Sequence, residues 1–401
     1  MASVNVKELI AQVNAAAQQG AAGVDDGERK QLLAAVDKLR ASYETPFETT
    51  IRVVFSGHQA IAIRLAVDSG LFDAAAKQPQ DNITVKQLAK DTGVDELLVT
   101  RFVRFLTAMN VFKEPEPGRF VATPLSGSYV SSSPLSAAVI HITHFLVIAS
   151  QLPEYFAEKG WKSPHDVYDG PFQFAINTKD NYFEFLGSKP YYQKAFNTVM
   201  TISHRRKGRN WFTFFPVEEK LGGVKPDQTL LVDVGGSQGG DITAFQKAYP
   251  NLSGKLILQD LPVVIDDIKE LPAGIEAQGY DFFKEQPVKG AKGYYLRTVL
   301  HDWPDKQAVQ ILERVREAMT PESVLLINET VIPESNASLS SATADLIMMV
   351  SFGSLERTEK QFADLFAKAQ LELVKVWNPT DFEGASDISE QASLLEVRLR
   401  R

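Results

Sequence analysis

Cysteine is absent from all 401 residues, which excludes disulfides, thiolate metal sites and a cysteine nucleophile. A basic surplus is absent too: 42 Lys and Arg stand against 50 Asp and Glu, a net charge of −8. A protein that reads a nucleic-acid backbone needs a concentrated excess of cations to neutralise phosphates, so this balance argues against nucleic acid as a partner while leaving a small cationic ligand open. No stretch approaches 18 consecutive apolar residues, and the opening MASVNVKELIAQVNAAAQQG has no basic segment followed by an apolar one. The expectation is therefore a soluble, intracellular, cytoplasmic protein without a membrane partner. What is present is ordinary globular material, 44% hydrophobic and 23% charged, in a chain long enough for one large domain plus a smaller one.

Residues 1–45 suit a helix interrupted near Gly20, Gly23 and Gly27, with RKQLLAAVDKLRASYE at helical spacing. Such a helix packs either on a partner subunit or on its own domain. QAIAIRLAVDSGLFDAAAK then reads as a buried helix. The stretch from Thr84 to Thr123 reads as helix, turn, helix and short hairpin, with Thr84 and Asp95 as N-caps and Gly93 in the turn. That is a winged-helix outline. Its second helix offers chiefly Arg101 and Arg104 beside Asp95 and Glu96, too little positive charge for a DNA reader, so residues 1–130 are expected to form a mainly helical dimerisation domain. Residues 131–225 read as a helical, aromatic-rich connecting segment that can line an apolar substrate pocket. From 226 to 401 strand and helix patterns alternate, through TLLVDVGG, DITAFQKAYP, GKLILQDLP, AKGYYLRTVL, DKQAVQILERVREAM and SVLLINETVI. Alternation of this kind implies parallel strands joined by helical crossovers, an α/β doubly wound Rossmann-like domain.

LLVDVGGSQGGD (230–241) places a strand, a glycine turn and a helix start in succession. Glycines let the backbone approach a ligand at positive φ, and the helix start presents free N–H groups. Asp260 follows 21 residues after Gly239, at the end of the next strand, where a carboxylate can accept from ribose hydroxyls or merely cap the turn before Pro262. The glycine spacing is not that of a G-x-G-x-x-G dinucleotide turn.

VDVGG, LQDLP, YDFF, LHDWPD, INETVIP and ERTEKQF, in that order over residues 232–362, resemble the S-adenosylmethionine-dependent O-methyltransferases of plants and fungi that act on phenols and other small secondary metabolites. The likeness covers nearly the whole chain, because that family also carries an N-terminal winged-helix dimerisation domain; it implies a homodimer. It also implies a cofactor site. Asp233 and Gly235 would lie against the methionine part of S-adenosyl-L-methionine, with Gly236 and Ser237 completing the turn; Asp260 and Leu261 would meet the ribose, Asp281 and Phe282 the adenine. Arg297 would lie near the cofactor. Ser237 departs from the family's usual third glycine, at a cost of about 1 kcal/mol if that position needs positive φ.

Methyl transfer to oxygen requires the acceptor hydroxyl to lose its proton as it attacks, and an imidazole with a pKa near 6.5 suits that task without a metal. The resemblance makes His301 this base, with Glu329 and Glu356 as flanking acids. We expect Glu329 to orient the ring through one nitrogen and Glu356 to support the ring or the substrate. Asp302 reads as a cap of the following helix, and Trp303 with Pro304 as packing for its first turn. His141 and His144 share a face of an apolar helix without a carboxylate nearby, so they read as core or substrate-pocket histidines, not metal ligands. His58, His165 and His204 carry no supporting context. Phe196, Asn197 and Met200 match walls of the family's acceptor and cofactor pocket, and read equally well as core residues. Two other readings compete: a relative that keeps fold and cofactor but performs a pericyclic, dehydration or similar rearrangement, and a winged-helix regulator with a ligand-sensing domain. The joint presence of His301, Glu329 and Glu356 favours methyl transfer.

Overall fold

The computed structural model describes residues 5–205, 210–379 and 392–400, and for 202–205 the backbone alone. The chain divides into two units, one reaching to Phe55 and one beginning at Ser56. In the first, helices span Val6–Gln19 and Asp26–Tyr43, and the helix Pro46–Asp68 begins. Gly20 at φ 68° ends the first helix. Asn5 and Asp25 cap the two starts by accepting from the amides of Lys7 and Glu28, as short polar side chains do at N-caps. Neither of these two helices buries a side chain.

The second unit starts with the remainder of the helix Pro46–Asp68 and the buried helix Leu71–Ala76, separated by Gly70 at φ 69°. Two strands, β1 (Ile83–Thr84) and β2 (Phe112–Glu116), flank β3 (Arg119–Ala122) in an antiparallel sheet. Between β1 and β2 lie the helices Val85–Thr92 and Glu96–Ala108, capped as expected by Thr84 and Asp95 and joined through Gly93 at φ 72°. Leu88, Val99, Val103 and Leu106 are wholly buried, each burial stabilising the fold by roughly 1.5–3 kcal/mol. Helices continue from Pro134–Ala149 to Val217–Leu221.

The large sheet contains β4 (Thr229–Val234), β5 (Lys255–Asp260), β6 (Ile275–Gly279), β7 (Gly293–Arg297) and β8 (Val324–Ile332), with the short β9 (Arg357–Thr358) paired to β8. β10 (Leu371–Trp377) and β11 (Ala392–Leu399) close one edge, giving the order β10-β11-β8-β7-β4-β5-β6. β4 to β8 pair in parallel, whereas β11 runs antiparallel to β8 and to β10. The doubly wound expectation therefore gains an antiparallel edge, which needs no crossover helix.

Alternation along each strand builds two cores. Val232, Val234, Tyr294, Leu296, Leu325 and Ile327 face the helices Asp305–Arg316 and Glu359–Lys368, while Leu231, Tyr295 and Leu326 pack with Phe245 and Trp211 on the other side. The chain steps outward from β4 to β5 and β6, then returns to the opposite side of β4 for β7 and β8. This reversal opens a crevice beyond the carboxyl ends of β4 and β7, the usual ligand position in such sheets. No single helix among the described residues is long and apolar enough to cross a membrane.

Candidate active site

The turn after β4 is built on left-handed backbone: Gly235 has φ 73°, Ser237 φ 52° and Gly239 φ 74°. A Cβ on Gly236 would lie 2.5 Å from Leu258 and 2.6 Å from the carboxyl of Asp233, so that position admits only glycine. Ser237 does adopt the strained conformation, at roughly 1 kcal/mol relative to glycine. Its N–H donates to Oδ2 of Asp260 at 2.8 Å, and the amide of Leu261 donates to Oδ1 at 2.8 Å. The Asp260 carboxylate is thus pinned at the end of β5, with further lone pairs available to hydroxyl donors. Burial raises its pKa, and those two amide bonds oppose the shift.

Asp233 is 2% exposed and its Oδ2 has no hydrogen-bond partner among the described residues. Burial pushes its pKa well up, the carboxylates of Asp241 and Asp260 add to the effect, and Arg297 opposes it. A buried, unpaired carboxyl beside two others fits a cationic group. Arg297 donates to Oδ1 of Asp241 at 2.7 Å, Tyr295 donates to Oδ2 at 2.9 Å, and Asn328 donates to the Tyr295 hydroxyl at 2.9 Å. Burial works to lower the Arg297 pKa, but Asp241 and Tyr295 outweigh it and hold the guanidinium charged. Three carboxylates and one guanidinium around a glycine-rich turn suit a cationic ligand that also carries hydroxyl donors.

The turn holding the histidine meets this crevice directly, since a Cβ on Gly235 would lie 3.1 Å from Val299. The 3-10 turn Leu300–Asp302 carries His301. Oε1 of Glu329 accepts from the amides of Val299 and Leu300 at 2.9 and 2.8 Å, while Oε2 is buried without a partner among the described residues. Nδ1 of His301 lies 3.0 Å from Oε1 of Glu356. The expected division of labour is thereby reversed: Glu356 holds the ring, and Glu329 holds the backbone beneath it. Arg357 clamps the same turn, donating to the carbonyls of Leu300 and Trp303 at 2.8 Å each and to Asp305 at 2.9 Å. Two consecutive residues thus fix the ring and its backbone.

Burial acts to lower the His301 pKa, but Asp302, Glu329 and Glu356 together raise it well above the ordinary value. Contrary to the expectation from the sequence, Asp302 does not cap the next helix; that helix starts at Asp305 with Pro304 at its N-cap and no side-chain capping bond. Oδ1 of Asp302 instead lies 3.5 Å from Nε2 of His301. Trp303 packs edge-on against Phe282 and Phe283 at 5.8 and 4.8 Å, and Phe183 of the connecting segment lies 6.0 Å away. Phe282 also approaches Gly235, and Asp281 accepts from the amide of Phe283 at 3.0 Å.

Phe183 leads to the aromatic cluster. His144 stacks on Phe185 at 5.7 Å and lies 4.3 Å from Tyr192, while His141 meets Phe145 at 4.8 Å and Phe196 at 5.4 Å edge-on. Both histidines are buried and depressed to about 4 by that burial, with His144 acting further on His141 and Arg64 on His144. They are neutral rings of an aromatic wall. Phe196 joins this wall and Met200 is half-buried, but Asn197 is exposed and faces an open groove with Pro134, Gln193 and Lys194. The side chain of His204 lies outside the described residues.

Sequence reasoning missed Asp241, Tyr295, Asn328 and Arg357. Asp241 had a signal, as the carboxylate directly after the glycine turn, and Arg357 adjoins Glu356. Thr298 also escaped notice: it has φ 48°, a strained conformation for a β-branched residue, immediately after β7.

An O-methyltransferase domain family model matches residues 170–371, and an O-methyltransferase dimerisation domain model matches residues 55–132. The O-methyltransferase asqD of Emericella nidulans is 38% identical over 341 residues, 84% of this chain and 87% of that protein. The solved complex of LepI with SAM superposes with a TM-score of 0.82 at 30% identity, covering 99% of this chain and 100% of that one. OxaC in complex with sinefungin and meleagrin gives 0.82 at 30% identity, covering 98% and 99%. The chain belongs to the S-adenosylmethionine-dependent O-methyltransferases, and the acidic crevice at Asp233 and Asp260 suits that cationic cofactor.

Proposed function

We propose that this enzyme methylates a hydroxyl of a small aromatic or polyketide-like secondary metabolite, with His301 as the general base. The observation that carries the reading is the His301 ring itself: Nδ1 is held by Glu356 at 3.0 Å, and the side chain is 19% exposed beside the crevice. A ring fixed through Nδ1 offers Nε2 to the acceptor. When bound, S-adenosylmethionine supplies an electrophilic methyl group on a sulfonium. Asp233 and Arg297 hold the amino-acid end, with Gly235, Gly236 and Ser237 shaping the turn beneath it. Asp260 and Leu261 hold the ribose, and Asp281 and Phe282 the adenine. His301 takes the hydroxyl proton, and Glu356 stabilises the imidazolium that forms. His141, His144, Phe196 and Met200 line an apolar acceptor wall. The functional unit is a homodimer built on residues 55–132, where Leu97, Leu98 and Phe105 are 63, 41 and 39% exposed.

Mass spectrometry of the enzyme incubated with S-adenosylmethionine and a panel of phenols and polyketide hydroxyls tests the reading. S-adenosylhomocysteine and a product heavier by one methylene, in equal amounts, are expected. An isomerised or dehydrated product without S-adenosylhomocysteine would contradict methyl transfer. Light scattering of the same sample should return the mass of two chains; one chain's mass would remove the homodimer.

A further inference from the structure

Three carboxylates surround His301, and they differ in access to water. Glu329 is fully buried and Glu356 is 3% exposed, each with one oxygen buried and unpartnered among the described residues. Asp302 is 19% exposed, as is His301. Its Oδ1 faces Nε2 at 3.5 Å, an ion-pair separation longer than a hydrogen bond. Nε2 is therefore not tied up, and an acceptor oxygen can meet it without displacing a bond. Asp302 also has no capping duty, because the helix that follows takes no side-chain bond at its N-terminus.

We propose that Asp302 is the proton outlet of His301: the proton that Nε2 takes from the acceptor hydroxyl passes to Oδ1 of Asp302 and from there to water. The inference rests on His301 acting as the base. In the transfer the acceptor O–H bond breaks and an N–H bond forms at Nε2. That N–H bond then breaks as an O–H bond forms on Asp302, and release to water restores both groups. Glu356 cannot serve in this way, since it is bound to Nδ1 on the far side of the ring and enclosed; Glu329 is engaged by two backbone amides. Burial raises the Asp302 pKa to about 7, with Glu329 and Glu356 adding to the effect and His301 opposing it. Charged groups next to the pair include Asp345, which accepts from the Glu356 amide, and Arg357, which is committed to the turn and to Asp305.

The proton-sharing part needs no acceptor to test. NMR titration of enzyme with ¹³C-labelled histidine, the signal assigned with His301→Gln, gives the His301 midpoint in the unsubstituted, Asp302→Asn and Asp302→Glu proteins. The midpoint should fall by a unit or more in Asp302→Asn and return in Asp302→Glu; equal midpoints in all three overturn the outlet. Turnover with a phenol that yields S-adenosylhomocysteine should drop tenfold or more in Asp302→Ala and recover when formate is added as a substitute acceptor of the proton. Loss without recovery, at an unchanged melting temperature, likewise overturns it. Absence of S-adenosylhomocysteine from the unsubstituted enzyme instead overturns the methyl-transfer reading, whatever the midpoints show.

Discussion

Glu356 holds the ring of His301 through Nδ1 at 3.0 Å, whereas Glu329 holds the amides of Val299 and Leu300. The two acids should therefore fail differently. Glu356→Gln removes the charge that steadies the imidazolium and should lower turnover about tenfold or more with little change in melting temperature. Glu329→Ala strands two buried amides and should cost about 2 kcal/mol in denaturant unfolding. Equal effects of both substitutions on both readouts would contradict this division.

The carboxylates around His301 set opposite pH trends for stability and turnover. Their interaction raises the folded-state pKa of the ring, so the stabilisation is fully present below the ordinary imidazole value of about 6.5 and is lost as pH rises through the raised one. His301→Gln should cost more stability at pH 6 than in alkaline solution, by thermal denaturation. Because the base must be neutral to act, kcat/KM should rise through an acid limb lying above pH 6.5. A limb at or below that value would remove the raised pKa from the account.

Ser237 occupies left-handed backbone at φ 52°, and its contribution to Asp260 comes from the main-chain N–H. Ser237→Gly keeps that bond and relieves the strain. The expected gain is about 1 kcal/mol of stability with cofactor affinity equal or tighter. Weaker binding of S-adenosylhomocysteine by calorimetry would show instead that the hydroxyl touches the ligand.

Arg357 is 1% exposed and bridges two carbonyls and Asp305. Lysine is a point charge and cannot reproduce that planar fork. Arg357→Lys should lower stability by about 3 kcal/mol and reduce turnover through loss of the His301 turn. A native melting temperature would show that the turn stands without the clamp.

The order of motifs made the parallel sheet, the acidic crevice and His301 legible in the sequence, because strand-turn-helix patterns fix which residues reach the carboxyl edge. What remained illegible was pairing in space. LHDWPD does not reveal that Pro304 occupies the N-cap and frees Asp302 for the ring, since capping depends on where the first helical turn begins. Glu329 and Glu356 could be placed near the histidine, but the expectation that Glu329 orients the ring failed, because that choice depends on the side each enters from. The strain at Thr298 has no local signature, as threonine ordinarily favours extended backbone. Asp241 carried only the ordinary meaning of an acid at a helix start until Tyr295 and Arg297 closed on it.

The most direct test compares the unsubstituted enzyme with His301→Ala, measuring S-adenosylhomocysteine binding by calorimetry and methylated product by mass spectrometry on the same phenol. The account predicts unchanged cofactor affinity, since Asp233, Asp260 and Arg297 remain in place, and turnover lower by about 10²-fold or more. Unchanged turnover with intact cofactor binding would contradict it and take the role of base away from His301.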